Sequence, residues 1–188
     1  MAVVINGTTG IDTVQDGSIG TVDIAADAIT TAKIAAALDL SATTLTMPTG
    51  HIIQKVIKVS ATAVTVTNAV TMTAFGLTQS FTPKFANSTI LIVANIAAEH
   101  YGTRTDSGLR FEFRKDNVRI RYWPYVDYHS NDNSQNISTQ SLYHSESAAN
   151  TTARTYDVRF TCSTATNSGA RMNNYNGPSN MIITEIAG

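Results

Sequence analysis

Between Gly17 and Ala36 the chain repeats itself. GSIGTVDIAA is followed by DAITTAKIAA, with matches at Ile19/Ile29, Thr21/Thr31, Ile24/Ile34, Ala25/Ala35 and Ala26/Ala36. An internal repeat constrains architecture before any local propensity does. Its isoleucines, Ile19, Ile24, Ile29 and Ile34, recur at every fifth residue. That period suits neither regular element: five helical steps turn a side chain by about 140°, and five strand steps carry it to the opposite face. A unit that changes conformation halfway suits it better. Its first isoleucine sits in a short extended piece (Asp27-Ala28-Ile29). Its second sits in one helical turn over Ala32, Lys33, Ile34, Ala35 and Ala36, capped by Thr30 or Thr31. One such unit has too little apolar surface to offset the entropy of ordering itself. Three copies on one axis would gather about twelve isoleucines, a gross gain of roughly 20–30 kcal/mol at about 1.5–3 kcal/mol each. A loose Ala-rich linker or a single amphipathic helix is the plainer reading of the same residues.

The 188 residues suffice for one medium domain, or for a small domain with an appendage. A net charge of −1 argues against nucleic acid and against an anionic membrane surface as partners. Charged residues make up 14% of the chain, against about 25% in typical domains, and Thr, Ser, Asn and Ala fill the gap. Few Lys and Glu among many β-branched residues favour strands over long helices. Cys162 is the single cysteine, so neither a disulfide nor a cysteine zinc site is on offer; within RFTCST it reads as a packed small hydrophobe. No run approaches the ~20 apolar residues of a membrane span. MAVVINGTTG lacks the basic and apolar regions of a secretory signal, so the expected mature start is Met1 or Ala2.

Pro48 and Gly50 punctuate the chain after the repeat, which predicts a boundary there: residues 1–50, then 51–188. From His51 the pattern is strands. IIQKVIKVS alternates, and ATAVTVTNAVTMTAF continues the pattern up to a polar break at TQSFTPKFANS. STILIVANIAAEH is apolar enough for a central strand buried on both faces. GLRFEFRKDNVRIRYW reads as a hairpin turning at Asp116-Asn117, with Phe111 and Phe113 on one face. Its return strand sets Val118, Ile120 and Tyr122 against Arg119, Arg121 and Trp123. YHSNDNSQN (128–136) reads as a long polar loop. SQNISTQSLYHSES, TARTYDVRFTCST and SNMIITEIAG are further strands, and NSGARMNNYNGPS holds a short one. Eight or nine strands in about 138 residues predict a mainly β fold, an antiparallel β-sandwich of jelly-roll type.

NGTTGIDTVQDGSI followed by the DIA, AIT and KIA repeats resembles the shaft segments of tailed-bacteriophage fibre proteins. LTMPTGHIIQ, FTPKFANSTILIVA, GLRFEFRKDN, TYDVRF and SNMIITEIA resemble, in that order, the C-terminal domain of the same family. The resemblance implies a virion structural protein and a homotrimer. Residues 1–50 would be an extended trimeric shaft with short helical turns, attached to other virion proteins. Residues 51–188 would be a knob that binds a glycan or protein of the host surface during adsorption. The chain is shorter than long tail fibres, so a short fibre on the tail, the collar or the capsid surface fits its length. The alternatives are a capsid decoration (head-fibre) protein that stabilises the shell and a glycan depolymerase spike.

Hydrolysis of a glycan needs two carboxylates about 5–9.5 Å apart. The acidic residues of the second half are few, and Glu112, Asp157 and Glu185 fall in alternating strands where they are expected to face solvent or a subunit contact. No GxSxG, HExxH or phosphate loop appears. The expectation is therefore no enzyme, no catalytic residue, no cofactor and no metal. His100, His129 and His144 would hold a metal only if copies met on a threefold axis. Recognition is expected from the aromatic run YWPYVDYH, with Tyr122, Trp123, Tyr125, Tyr128 and His129 beside Asn131 of the polar loop. Tyr101 and Arg104, and Tyr175 and Asn176, are loop candidates of the same kind. Aromatic faces stack on sugar rings, while Tyr and Trp also serve subunit contacts, where Trp123 and Tyr125 would instead pack.

If Ile19, Ile24, Ile29 and Ile34 close a threefold core, light scattering of the full chain gives a mass about three times its 20.1 kDa. A monomer mass rules out that core.

Overall fold

Alternating β-branched and polar residues form ten strands in two antiparallel sheets, with no helix among the described residues. The structure is a computed structural model that describes residues 47–103, 106–129, 134–175 and 177–188. The isoleucine repeat and the expected shaft lie outside them. In the larger sheet β1 (Ile52–Ser60) pairs with β10 (Ser179–Ile186), β10 with β4 (Thr89–Gly102), β4 with β9 (Ser168–Met172), and β9 with β2 (Val64–Thr67). β7 (Ser134–Ser147) takes the other edge of β4. The smaller sheet is ordered β3 (Thr73–Phe81), β8 (Arg154–Cys162), β5 (Ser107–Lys115), β6 (Val118–His129).

STILIVANIAAEH becomes the central strand β4, bonded on both edges. β7 follows it from Thr89↔Ser147 to Gly102↔Ser134. The opposite edge is divided: β10 takes Thr89–Asn95 and β9 takes Ala98–Gly102. The expected burial on both faces holds only for the second half. Ile90, Ile92, Ala94 and Ile96 are buried inward, while Leu91, Val93 and Asn95 stay partly open on the outer face; Ala97 to His100 are buried throughout.

The inner faces of the two sheets share one core, in the manner of a β-sandwich. Ile90, Ile92, Ile96, Met172, Met181 and Ile183 meet Phe75, Leu77, Phe111, Phe113, Tyr156, Val158 and Phe160. Phe75 and Phe160 pack edge to face at 5.4 Å, and Phe113 and Trp123 at 5.1 Å. Cys162 is fully buried and unbridged, as its alternating segment predicts, and burial pushes its thiol pKa up.

The structure redraws four segments. ATAVTVTNAVTMTAF splits into β2 and β3 around Asn68, whose φ of 51° ends the ladder. The polar break begins only after Phe81. The described residues of the segment read as a loop at 128–136 are strand, with Tyr128 and His129 closing β6 and Ser134 opening β7. The hairpin turns at Asp116-Asn117 as expected, with φ of 50° and 66°, the left-handed pair of a type I′ turn. Its return strand, however, does not keep a two-residue period. β6 has 12 residues against 9 in β5, and the register slips at three places. Each slip inserts one extra residue, which turns the following side chain to the other face. Ile120, Trp123 and Val126, three apart, therefore all reach the core. This overturns the opposition of Ile120 to Trp123 predicted from strict alternation.

The three strand carboxylates are buried, not solvent-facing. Glu112 is covered by a short ion pair to Arg114. Asp157 pairs with Arg159 at 2.5 Å and accepts from Thr78 Oγ1 at 2.8 Å. Glu185 is enclosed by the β3–β4 connection. It accepts the backbone N–H groups of Lys84 and Phe85 at 2.9 Å, Ser88 Oγ at 2.7 Å and Gln54 Nε2 at 2.6 Å. Sequence alternation cannot distinguish a solvated face from one closed by a neighbouring loop. Burial pushes the Glu185 pKa up, but these hydrogen bonds outweigh it and hold the carboxyl below the usual range. Glu146 behaves likewise. It bonds Lys115 Nζ at 2.8 Å and Tyr156 Oη at 2.6 Å, joining β7 to the smaller sheet. Beside it His144 is half-buried, and burial holds its pKa below 6.5 despite the nearby carboxylate.

Two outcomes follow for stability. Glu185→Gln places an amide N–H against the Lys84 and Phe85 donors and should cost about 2–3 kcal/mol, read by urea unfolding. Stability should also fall with acid in two windows. His144 takes a proton in the unfolded chain near 6.5 but in the folded chain only below that, so stability declines as pH drops through 6.5. Glu146 and Glu185 add a second decline below about 4.5, where the unfolded carboxylates protonate first. Thermal unfolding from pH 8 to 4 checks both, and His144→Gln should remove the upper window alone.

Candidate functional site

The second half of β4 carries the polar residues of an otherwise apolar strand, and its register brings them together with β7 and β9. Glu99 lies opposite Arg171 of β9 and Ile137 of β7, while Tyr101 lies opposite Gly169 and Gln135. Residues opposite one another in antiparallel strands point to the same side. Glu99, Tyr101, Gln135 and Arg171 share the outer face of the larger sheet and line a cleft of about 450 Å³ together with Gly102, Thr103 and Tyr175.

Glu99 forms the floor and is 1% exposed. Its Oε1 accepts from Gln135 Nε2 at 2.6 Å and from Arg171 Nη1 at 3.1 Å, and its Oε2 from Asn174 Nδ2 at 3.0 Å. Three strands and the β9–β10 connection thus converge on one carboxylate. Arg171 lies over the Tyr101 ring, 4.2 Å from its centre, and the Tyr101 hydroxyl meets Thr67 Oγ1 at 3.0 Å. Gly169 makes this possible: a Cβ there would fall inside the Tyr101 ring, so only glycine lets the ring lie flat on β9. Tyr175 is 63% exposed. Asn173, in the left-handed region at φ 60°, anchors its connection: Nδ2 donates to Thr62 O at 2.9 Å and to Ser60 Oγ at 3.2 Å, and Oδ1 accepts from Ser179 N at 3.0 Å.

The cleft offers the exposed ring face of Tyr175 and the donors of a guanidinium and amides, held in place by the buried Glu99 carboxylate. That set matches a polyhydroxylated ligand, whose ring stacks while its hydroxyls exchange hydrogen bonds.

The structure unites Tyr101 with Tyr175 but leaves the aromatic run of β6 as a separate strip on the smaller sheet. There Arg119 lies over Tyr122 at 5.0 Å and Arg110 over Tyr125 at 5.5 Å; Tyr125 and Tyr128 meet edge to face at 6.1 Å. The Tyr128 hydroxyl donates to Asp106 at 2.7 Å, and that bond pushes its pKa up. Trp123 packs against Phe113 and the core, which withdraws most of it from a ligand. Arg104, Asn131, Asn176 and the side chain of His129 lie outside the described residues. His100 is buried and bonded to Ser107 Oγ at 2.9 Å and Ser168 Oγ at 3.2 Å, so it faces the interior and not an axis between copies. Among the described residues no three His, Cys, Asp or Glu side chains group as metal ligands. Glu99, Gln135, Gly169 and Arg171 escaped sequence reasoning. The one signal was a lone Glu in an apolar strand; their meeting depends on pairing between segments about 70 residues apart in sequence.

No protein-family model and no curated protein matches the chain. Among solved structures it is similar to dimeric latent PorU from Porphyromonas gingivalis, at 11% identity and a TM-score of 0.42 over 76% of this chain and 13% of that one. It is also similar to a chain of the infectious bursal disease virus Gx strain, at 8% identity and a TM-score of 0.38 over 72% of this chain and 37% of that one. The chain spans a minor part of both.

Proposed function

We propose that this chain is a homotrimeric virion fibre of tailed-phage type. Residues 1–50 form the extended shaft and hold other virion proteins. Residues 51–188, a jelly-roll-like knob, bind the host surface without catalysis. The observation that carries this reading is the polarity of β4. Its first residue, Thr89, lies opposite Ile186, which pairs with Ile52 where the N-terminal residues lead into β1. Gly50 N and Ala187 N secure that corner with bonds of 2.8 Å to Ala187 O and His51 O. The cleft sits at the other end of β4, about 40 Å away at ~3.4 Å per residue. A fibre needs attachment at one end and recognition at the other. The isoleucine repeat supports the trimer independently, since one copy of it has too little apolar surface to offset the entropy of ordering itself. The ligand chemistry of the cleft supports a surface glycan.

Labelled full chain applied to a panel of bacteria and to an array of bacterial surface glycans tests this. Binding should appear for one host or glycan class. Tyr175→Ala should weaken it by about tenfold or more, as loss of an exposed stacking ring does. Gly169→Ala, which displaces Tyr101, should weaken it similarly, and Tyr125→Ala on the β6 strip should leave it unchanged. Loss with Tyr125→Ala instead moves recognition to β6. Binding to expanded capsids and not to cells favours the decoration protein, and released reducing ends establish a depolymerase.

A further inference from the structure

We infer that the apolar half of the larger sheet's outer face is the contact between copies of this chain. The inference rests on the homotrimer proposed above and assigns its surface. The face is defined by register. Ile57, Ile182, Val93 and Tyr143 stand in one row across β1, β10, β4 and β7, with Leu91 and Val59 in the rows on either side. Ile57 is 56% exposed, Val59 55% and Tyr143 70%. β1 shows the anomaly most clearly. It turns Gln54, Val56, Lys58 and Ser60 inward, opposite the buried Glu185, Ile183, Met181 and Ser179, and gives its outer side to Ile57 and Val59. A strand that served only its own sandwich would do the reverse.

The neighbouring row is polar but self-satisfied: Ser141 Oγ donates to Asn95 Oδ1 at 2.8 Å, and Asn95 Nδ2 to Asn180 Oδ1 at 3.3 Å. Across the four rows from Ile52 to Val59, Lys55 is the one charged side chain among the described residues. Four strands by four rows make roughly 500 Å² of sheet. Apolar side chains hold eight of its sixteen positions, and the whole is a large share of the ~800 Å² each partner gives a specific interface. Loss of charge around exposed apolar side chains, with the Tyr143 ring on the β7 edge, is the composition of an interface core.

Three observations select a second copy as the occupant. The 46 residues before Met47 lead into β1, the strand that turns Ile57 and Val59 outward. Those residues hold the isoleucines that need copies of themselves. The polar cleft occupies the opposite half of the face, so copies meeting over the apolar rows leave it open.

The test is nitration of tyrosines in the full chain, read residue by residue by mass spectrometry, with light scattering on the same sample. Tyr125 and Tyr175, 60% and 63% exposed, are the references for Tyr143. Tyr143 should react about tenfold more slowly than both, since a covering copy removes it from solvent. Ile57→Glu with Val59→Glu should raise Tyr143 to the reference rate. Ile57 is three strands away, about 14 Å, so only a cover that spans the face links the two. Unchanged circular dichroism confirms that the variant is folded. Tyr143 reacting at the reference rate in a trimer overturns this face and leaves the homotrimer standing. Protection that persists in the variant also overturns it. A monomer mass overturns both the face and the trimer.

Discussion

Everything in the described body depends on β4 being bonded along both edges. β7 follows one edge of this 14-residue strand and β10 then β9 the other; between those two, Ala97 N donates to Ser179 Oγ at 3.0 Å and Ala97 O accepts from Asn173 N at 2.9 Å. Because β10 and β9 share one edge, the connection between Met172 and Ser179 must leave that edge and return. The side chain of Asn173 holds that detour by bonding Ser60, Thr62 and Ser179. The detour in turn brings Asn174 and Tyr175 to the cleft. The site is thus a consequence of how the central strand divides its partners.

Buried and half-buried carboxylates tie the connections and the two sheets together. Glu185 orders the connection from Phe81 to Thr89 by accepting two of its backbone N–H groups and the Ser88 hydroxyl. Glu146 joins the two sheets at the edge of the core through Lys115 and Tyr156. Glu99 closes the floor of the cleft. Each buried charge is matched by several donors, the condition under which burial is tolerated. The scarcity of acidic residues in this chain fits that use, since those present are largely committed to structure.

The two outer faces of the body differ in kind. The smaller sheet presents arginines over tyrosine rings, with Glu112 and Asp157 held beneath Arg114 and Arg159. The larger sheet is apolar near the corner where the N-terminal residues join and polar near the cleft. One strand therefore carries both the apolar chemistry of the proposed contact and the polar chemistry of the cleft, separated along its length. Association through the first half would set the cleft of each copy around a common axis and give weak individual contacts the advantage of multivalency.

The sequence by itself determined the strand content, the central place of STILIVANIAAEH, the Asp116-Asn117 turn and the inward face of Phe111 and Phe113. All four are local signals: apolar run, turn chemistry and period two. Tertiary structure decided what depends on pairing. Three extra residues in β6 moved Trp123 from the expected recognition surface to the core, because a bulge changes facing without changing composition. Closure by the β3–β4 connection turned Glu185 from a solvent residue into an interior one. Tyr101 and Tyr175 were legible as candidates, but Glu99, Gln135, Gly169 and Arg171 were not. Their convergence arises from register between strands distant in sequence, which no local pattern encodes. The direction in which Ile57 and Val59 point was also open in the sequence, since alternation gives two faces and only the partner strand says which of them is inside.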